Sequence, residues 1–286
     1  MNQFKVGIIS DWLRLPFRES MEKCANLGAD GVQIYAVEGE MAPENMTASL
    51  IAEKRSIIEA NGLVVSALCG DLGGHGFARR EENPAKIERS KRIVDLALEL
   101  GSNVVTTHIG VVPEEKNDTY KILQEACSQL AEYAHQNGAY FAIETGPEPA
   151  LRLKEFLDGL SSRGVAVNLD PANLVMVTDD DPVQAVYTLK DYIVHTHAKD
   201  GILLRKTDPK VIYDFFAEGG IGDLRLEEYF REVPLGQGKV DFDAYLKALH
   251  EIGYTGFLTI EREVGENPAA DIGLAVNFLR SAMSRI

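Results

Sequence analysis

Three observations in this 286-residue sequence predict a closed α/β barrel of eight strand–helix units, a (β/α)8 or TIM barrel. Eight short runs rich in β-branched and aromatic residues alternate with longer segments of helical period. Helix ends that stop on glycine recur just ahead of the strands. Acidic and histidine side chains gather where strands end, most densely in the second half of the chain.

The strand candidates are FKVGIIS (4–10), ADGVQIYA (29–36), LVVSALCG (63–70), SNVVTTHIG (102–110), AYFAIETG (139–146), VAVNLD (165–170), DYIVHTHAKD (191–200) and YTGFLTIERE (254–263). Between them run helical segments such as PFRESMEKCANLG, NPAKIERSKRIVDLALELG and NDTYKILQEACSQLAEYAHQNG. The junctions NLGAD, ANGLV, LGSNV, QNGAY, SRGVA and IGYTG repeat one grammar, a glycine that stops the helix in the left-handed region before the next strand. A doubly wound open sheet is the alternative, weakened because no GxGxxG follows the first strand. The pattern spans residues 1–286 as one domain. Its one disproportionate connection, about 201–240 after the seventh strand, exceeds the usual length of a structureless loop. With aromatic, acidic and basic residues together, that segment reads as a folded lid or insertion at the catalytic face.

Composition narrows the function. Apolar residues make up 45% of the chain, as in ordinary globular proteins. No apolar run approaches the roughly 18 residues of a membrane span, and MNQFKVGIIS lacks the layout of a signal peptide. The expectation is a cytoplasmic protein without membrane contact. Cys24, Cys69 and Cys127 have no CxxC spacing and read as free thiols. A net charge of −15 with no Lys/Arg cluster disfavours nucleic acid and favours a small polar substrate; a homo-oligomer is compatible with the sequence.

In such barrels the site forms at the C-terminal mouth. The strand ends there carry Cys69 and Asp71, His108, Glu144, Asp170, then His195, His197, Lys199 and Asp200, and finally Glu261 and Glu263. An apolar strand that ends in a carboxylate, as FAIE, VNLD and LTIE do, must pair that charge or give it to a metal. A lone strand-end carboxylate more often caps the next helix, but four such ends together favour a metal. Glu144, Asp170, His197 and Glu261 form an oxygen-rich set suited to one divalent ion, Mn2+, Co2+, Mg2+ or Zn2+, among which geometry alone does not choose. His195 and His197 point to the same side of their strand, and His197 lies nearer the mouth. His195 reads as a supporting or packed histidine. His75, in GDLGGHGF, is a candidate substrate contact.

At these residues the chain resembles the sugar phosphate isomerase/epimerase superfamily, the xylose isomerase-like TIM barrels. The resemblance rests on IETG (143–146), NLDPAN (168–173), HAKD (197–200), PLGQGKVDF (234–242) and YTGFLTIERE (254–263). It implies that Glu144, Asp170, His197 and Glu261 bind the metal and that His108 and Lys199 face the substrate. Family members often carry Asp-x-x-His on the sixth strand, where this chain has Asn173. Asparagine cannot act as a base and is a poor ligand, so an apurinic-endonuclease-type site with several metals is not expected and Asn173 becomes a substrate contact. The chemistry implied is proton abstraction beside a carbonyl of a ketose, aldose or inosose through an enediolate, with Glu144 and Glu261 as the catalytic pair. A metal-dependent lyase or dehydratase acting on an inosose or 3-keto-glycoside is the alternative.

Overall fold

The computed structural model describes residues 4–286. Strands β1 (Lys5–Ile9), β2 (Gly31–Tyr35), β3 (Val64–Cys69), β4 (Val104–Thr107), β5 (Tyr140–Glu144), β6 (Val165–Leu169) and β7 (Ile193–Ala198) pair in parallel around a barrel. Two further strands, β8 (Asp200–Leu203) and β9 (Phe230–Val233), pair antiparallel outside it. The last, β10 (Phe257–Ile260), closes the barrel between β7 and β1, with Lys5 opposite Phe257 and Thr259 opposite His197. All eight barrel strands fall inside the runs expected from sequence.

The outer layer consists of α1 (Phe17–Asn26), α2 (Ala48–Ala60), α3 (Asn83–Glu99), α4 (Asp118–Gln136), α5 (Ala150–Asp158), the single turn α6 (Pro171–Asn173), α7 (Pro182–Thr188), α8 (Pro209–Glu218), α9 (Phe242–Glu251) and α10 (Pro268–Met283). Their starts are set by side-chain caps: Thr47, Asn117, Asp181, Asp208, Asp241 and Asn267 each accept a first-turn N–H. Among the described residues no helix is long and apolar enough to cross a membrane.

The helix-stop reading holds at five junctions, where Gly28, Gly62, Gly101, Gly138 and Gly253 have positive φ. Gly164, in the sixth, does not. It is needed for space, since a Cβ there would lie 1.9 Å from the Ala131 carbonyl oxygen on α4. The same sequence cue therefore covers two physical reasons.

The 201–240 connection is not free of regular structure. It contains α8 between β8 and β9, and it returns to the barrel through the glycine-rich turn 234–240. Buried Asp200 anchors that return. Its Oδ1 accepts the N–H of Gly201 (2.9 Å) and Val240 (3.1 Å), and its Oδ2 accepts those of Gly236 (3.0 Å) and Gly238 (2.8 Å). A Cβ on Gly238 would sit 2.0 Å from Asp200 Oδ1, so that position admits only glycine without displacement. HAKD and PLGQGKV, well separated in sequence, are thus two halves of one clamp.

Candidate active site and metal-binding cluster

The site grows from four successive strands of the barrel wall, β5, β6, β7 and β10. Glu144 closes β5, Asp170 follows β6, His197 sits near the end of β7 and Glu261 follows β10. All four are buried, and one ligand atom from each lies within 4.8 Å of the others. The imidazole is their meeting point. His197 Nδ1 lies 3.1 Å from Glu261 Oε2, 3.3 Å from Asp170 Oδ2 and 3.5 Å from Glu144 Oε1.

Each carboxylate is divided between support and function. Asp170 Oδ1 caps α6 by accepting the N–H of Ala172 (2.8 Å) and Asn173 (2.9 Å), which leaves Oδ2 for His197. Asp170 therefore caps a helix with one oxygen and turns the other toward the cluster. Glu144 Oε2 accepts from Asn168 Nδ2 (3.2 Å), and its Oε1 accepts from Asn173 Nδ2 (3.0 Å). Gly146, at φ +146°, makes room for that asparagine, since a Cβ there would meet Asn173 Cβ at 2.7 Å. Glu261 Oε2 accepts from Lys199 Nζ (3.2 Å), which also donates to Glu263 (2.5 Å).

Polar side chains inside the barrel hold this array from below. Gln33 on β2 and His197 on β7 belong to strands that are not neighbours, so their contact crosses the barrel interior. Gln33 Nε2 donates to Thr106 (3.1 Å), which turns its Oε1 toward His197 Nε2 (3.1 Å). Asn168 Nδ2 also lies 3.2 Å from Nε2; where Nε2 carries its N–H toward Gln33, the Nδ1 lone pair faces the three carboxylates, the tautomer a metal ligand requires. His195 lies in the same layer, bonded to Asn168 Oδ1 (2.8 Å) and to the Thr259 hydroxyl (2.9 Å). Burial, and then the neighbouring His197, hold its pKa well below the usual value, so it is a neutral structural histidine.

The donor set fits a divalent cation. A lone pair aimed at three carboxylate oxygens is repulsive unless a positive charge lies between them. Glu144, Asp170 and Glu261 against Lys199 leave two negative charges, which a divalent ion balances. Without the ion, a proton on His197 takes that place: burial opposes its charge, but Glu261 and Glu144 raise its pKa well above normal. Lys199 is likewise held charged against burial by Glu261 and Glu263.

Above the cluster opens a cavity of about 600 Å³ that reaches the barrel mouth. Glu144, His197, Glu261, His108, Lys199 and Asn173 line it. His108 bonds through Nδ1 to Asp71 Oδ2 (2.9 Å), and its Nε2 lies 3.8 Å from Glu144 Oε1. Desolvation opposes its protonation, but Glu144 and Asp71 push its pKa up to about 10. His75 does not line the cavity. It is turned outward to Glu218 and Asp214 of α8, so it fastens the β3–α3 loop to the insertion rather than reaching the mouth. Gln33 and Asn168 had no role in the sequence reading. Their signal was present, one polar residue inside each of the apolar runs GVQIY and VAVNL.

A closed eight-stranded parallel barrel with a Glu–Asp–His–Glu cluster at the strand C-termini defines a class of enzyme-like barrels. Residues 21–282 match the family described as the xylose isomerase-like TIM barrel, and this chain belongs to that family. An uncharacterized protein of Methanocaldococcus jannaschii is 26% identical over 85% of this chain and 78% of its own length. The L-ribulose-5-phosphate 3-epimerase UlaE of Escherichia coli O157:H7 is 22% identical over 93% of this chain and 90% of its own. A solved xylose isomerase domain protein from Planctomyces limnophilus superposes with a TM-score of 0.80 at 26% identity, covering 99% of this chain and 98% of that one.

Proposed function

We propose that this protein is a divalent-metal-dependent sugar isomerase or epimerase that moves a proton beside the carbonyl of a small ketose, aldose or inosose. The observation that carries the reading is the convergence of Glu144 and Glu261 on one point at the base of the cavity, from strands separated by β6 and β7. A sugar held there offers a C–H next to its carbonyl to one carboxylate and the opposite face to the other. Removal by one and return by the other inverts the carbon, and return to the adjacent carbon interconverts aldose and ketose. When bound, the cation supplies Lewis-acid stabilisation of the negative charge that gathers on the substrate oxygens; Mn2+ is the first candidate.

The chain's own groups position the exchange. Asn168 and Asn173 fix both oxygens of Glu144 by hydrogen bonds. Lys199 balances Glu261 and keeps it ionised and ready to accept a proton. His108, oriented by Asp71, presents Nε2 to the cavity and donates to a substrate oxygen. The same imidazolium could hand its proton to a departing hydroxyl, which is the specific support for the lyase reading. The relative named as a 3-epimerase favours the first reading. The acidic mouth and Asn173 in the usual histidine position disfavour a nuclease.

Incubating Mn2+-loaded protein with ketoses and inososes in 2H2O tests the proposal. Deuterium should enter the carbon beside the carbonyl, and a chelator should stop it. Glu144→Gln and Glu261→Gln should each lower exchange about 10²–10⁴-fold. Full exchange in either variant rules out the two-carboxylate mechanism, and an ultraviolet-absorbing unsaturated product establishes the lyase instead.

A further inference from the structure

The cavity has two unlike halves. Its base carries the carboxylate cluster, while its outer half is formed by the insertion and by the π-helical turn after β6. The outer wall presents Met176, Ile212, Tyr213, Phe216, Leu226 and Phe230. Phe216 lines the cavity yet is 62% exposed, so an aromatic face stands open beside the mouth. Its position is fixed from behind. Glu218, one turn or less away on α8, pairs with His75 and Arg79 of the β3–α3 loop, and Tyr213 bonds the Gly110 main chain beyond β4. An exposed apolar patch continuous with a polar, buried site is the arrangement of a ligand pocket.

Charge decides what kind of ligand suits that half. The lining carries Asp71, Glu227, Glu232 and Glu263 besides the cluster, of which Asp71 is paired with His108, Glu263 with Lys199 and Glu232 with Arg262. Its cations are mostly committed: Lys199 to Glu261 and Glu263, His108 to Asp71, and His197 to the cluster. Among the described residues of the lining, Arg231 on the exposed face of β9 is the remaining basic side chain. Glu227 offsets that one cation, so a phosphate would find no cationic cluster there, whereas a neutral ring would meet aromatic and aliphatic faces.

We propose that the outer half is a second subsite for an uncharged ring, a second sugar or an aromatic aglycone, joined glycosidically to the sugar at the carboxylates. The inference deepens the isomerase/epimerase reading and rests on it for the inner sugar. Volume agrees, because 600 Å³ lies within the roughly 300–1,000 Å³ of pockets that enclose drug-sized ligands, larger than a single sugar. The chemistry is then narrowed. Where the inner sugar is joined through its own anomeric carbon, as with an aromatic aglycone, the carbonyl that acidifies the exchanged C–H sits on another ring carbon, so the substrate in that case is an oxidised glycoside.

Calorimetric titration of the Mn2+-loaded protein tests this without requiring turnover. The probes are methyl 3-keto-β-D-glucoside, its phenyl analogue, 3-keto-cellobiose and the 6-phosphate of the methyl glycoside. Either second ring should tighten binding at least tenfold over the methyl glycoside; which one gains more distinguishes sugar from aglycone. Phe216→Ala, at an exposed position that the fold does not need, should erase the gain and leave the methyl glycoside unchanged. The phosphate should bind no better than its parent. No ring-dependent gain, a gain that survives Phe216→Ala, or preferred binding of the phosphate each overturns the inference. So does sedimentation that shows a dimer lost in Phe216→Ala, because a second copy would then cover the patch. If the ring gain is present but no deuterium enters any ketone, the subsite stands and the proton-transfer reading falls.

Discussion

Replacing Asp200 by alanine should loosen the insertion from the barrel, and the four N–H groups it holds set the size of the effect. Two of these donors, on Gly236 and Gly238, belong to a part-exposed turn where water can replace the carboxylate. The other two, on Gly201 and Val240, are buried and would lose their acceptor outright. At about 1–3 kcal/mol for each buried donor left unsatisfied, the loss is about 2–6 kcal/mol. For a chain of this size about 2–4 °C is lost per kcal/mol, so a loss near the middle of that range lowers Tm by about 10 °C. Asp200→Asn is the informative companion. With its oxygen at the Oδ1 position it keeps both buried donors, and its NH2 group opposes only the turn. It should therefore cost less than half as much stability while still displacing residues 234–240. Differential scanning calorimetry of both variants measures this. A change below about 1 kcal/mol in Asp200→Ala, or equal losses in the two, would refute the partition of donors.

Three further outcomes follow from the site. Gln33→Ala removes the acceptor that turns the His197 Nδ1 lone pair toward the carboxylates. Mn2+ affinity in competition with a chromophoric chelator should weaken about 10–100-fold, and unchanged affinity would show that Gln33 does not orient the ring. Gly146→Ala places a Cβ 2.7 Å from Asn173 Cβ at φ +146°, so Asn173 should leave Glu144. Turnover should fall by up to about 100-fold, as for an ångström-scale misplacement, and a variant with wild-type kcat would separate Asn173 from catalysis. His195 is held neutral by burial, its folded pKa lying below its unfolded one. Its contribution to stability is complete above the unfolded value of about 6.5 and is lost as pH falls below it, by up to about 1.4 kcal/mol per pH unit. Urea denaturation of the wild type and His195→Gln at descending pH should show a shallower decline in the variant; parallel curves would place the acid sensitivity elsewhere.

The four cluster residues were legible because a repeating strand–helix pattern assigns each strand a C-terminal end, and a barrel puts all those ends at one mouth. Glu144, Asp170 and Glu261 each terminate an apolar run, so position alone marked them. His197 over His195 followed from the same rule, and the structure separates them as expected: one faces the carboxylates, the other is locked between Asn168 and Thr259. His75 was singled out by its glycine-rich surroundings, while its partner Glu218, 143 residues away on a helix of the insertion, was not legible from sequence.

Periodicity and strand-end chemistry are local properties, so the sequence by itself determined the barrel, the order of its strands along the chain and the residues at its mouth. Contacts between strands that are not neighbours depend on how the closed sheet is tilted and staggered, and only the tertiary structure decided those. It alone sets Gln33 of β2 beneath His197 of β7, and it alone joins Asp200 to the turn 234–240. The aromatic half of the cavity is likewise tertiary. The side chains of α8 acquire a direction only once ion pairs and the Asp200 clamp hold the insertion over the mouth.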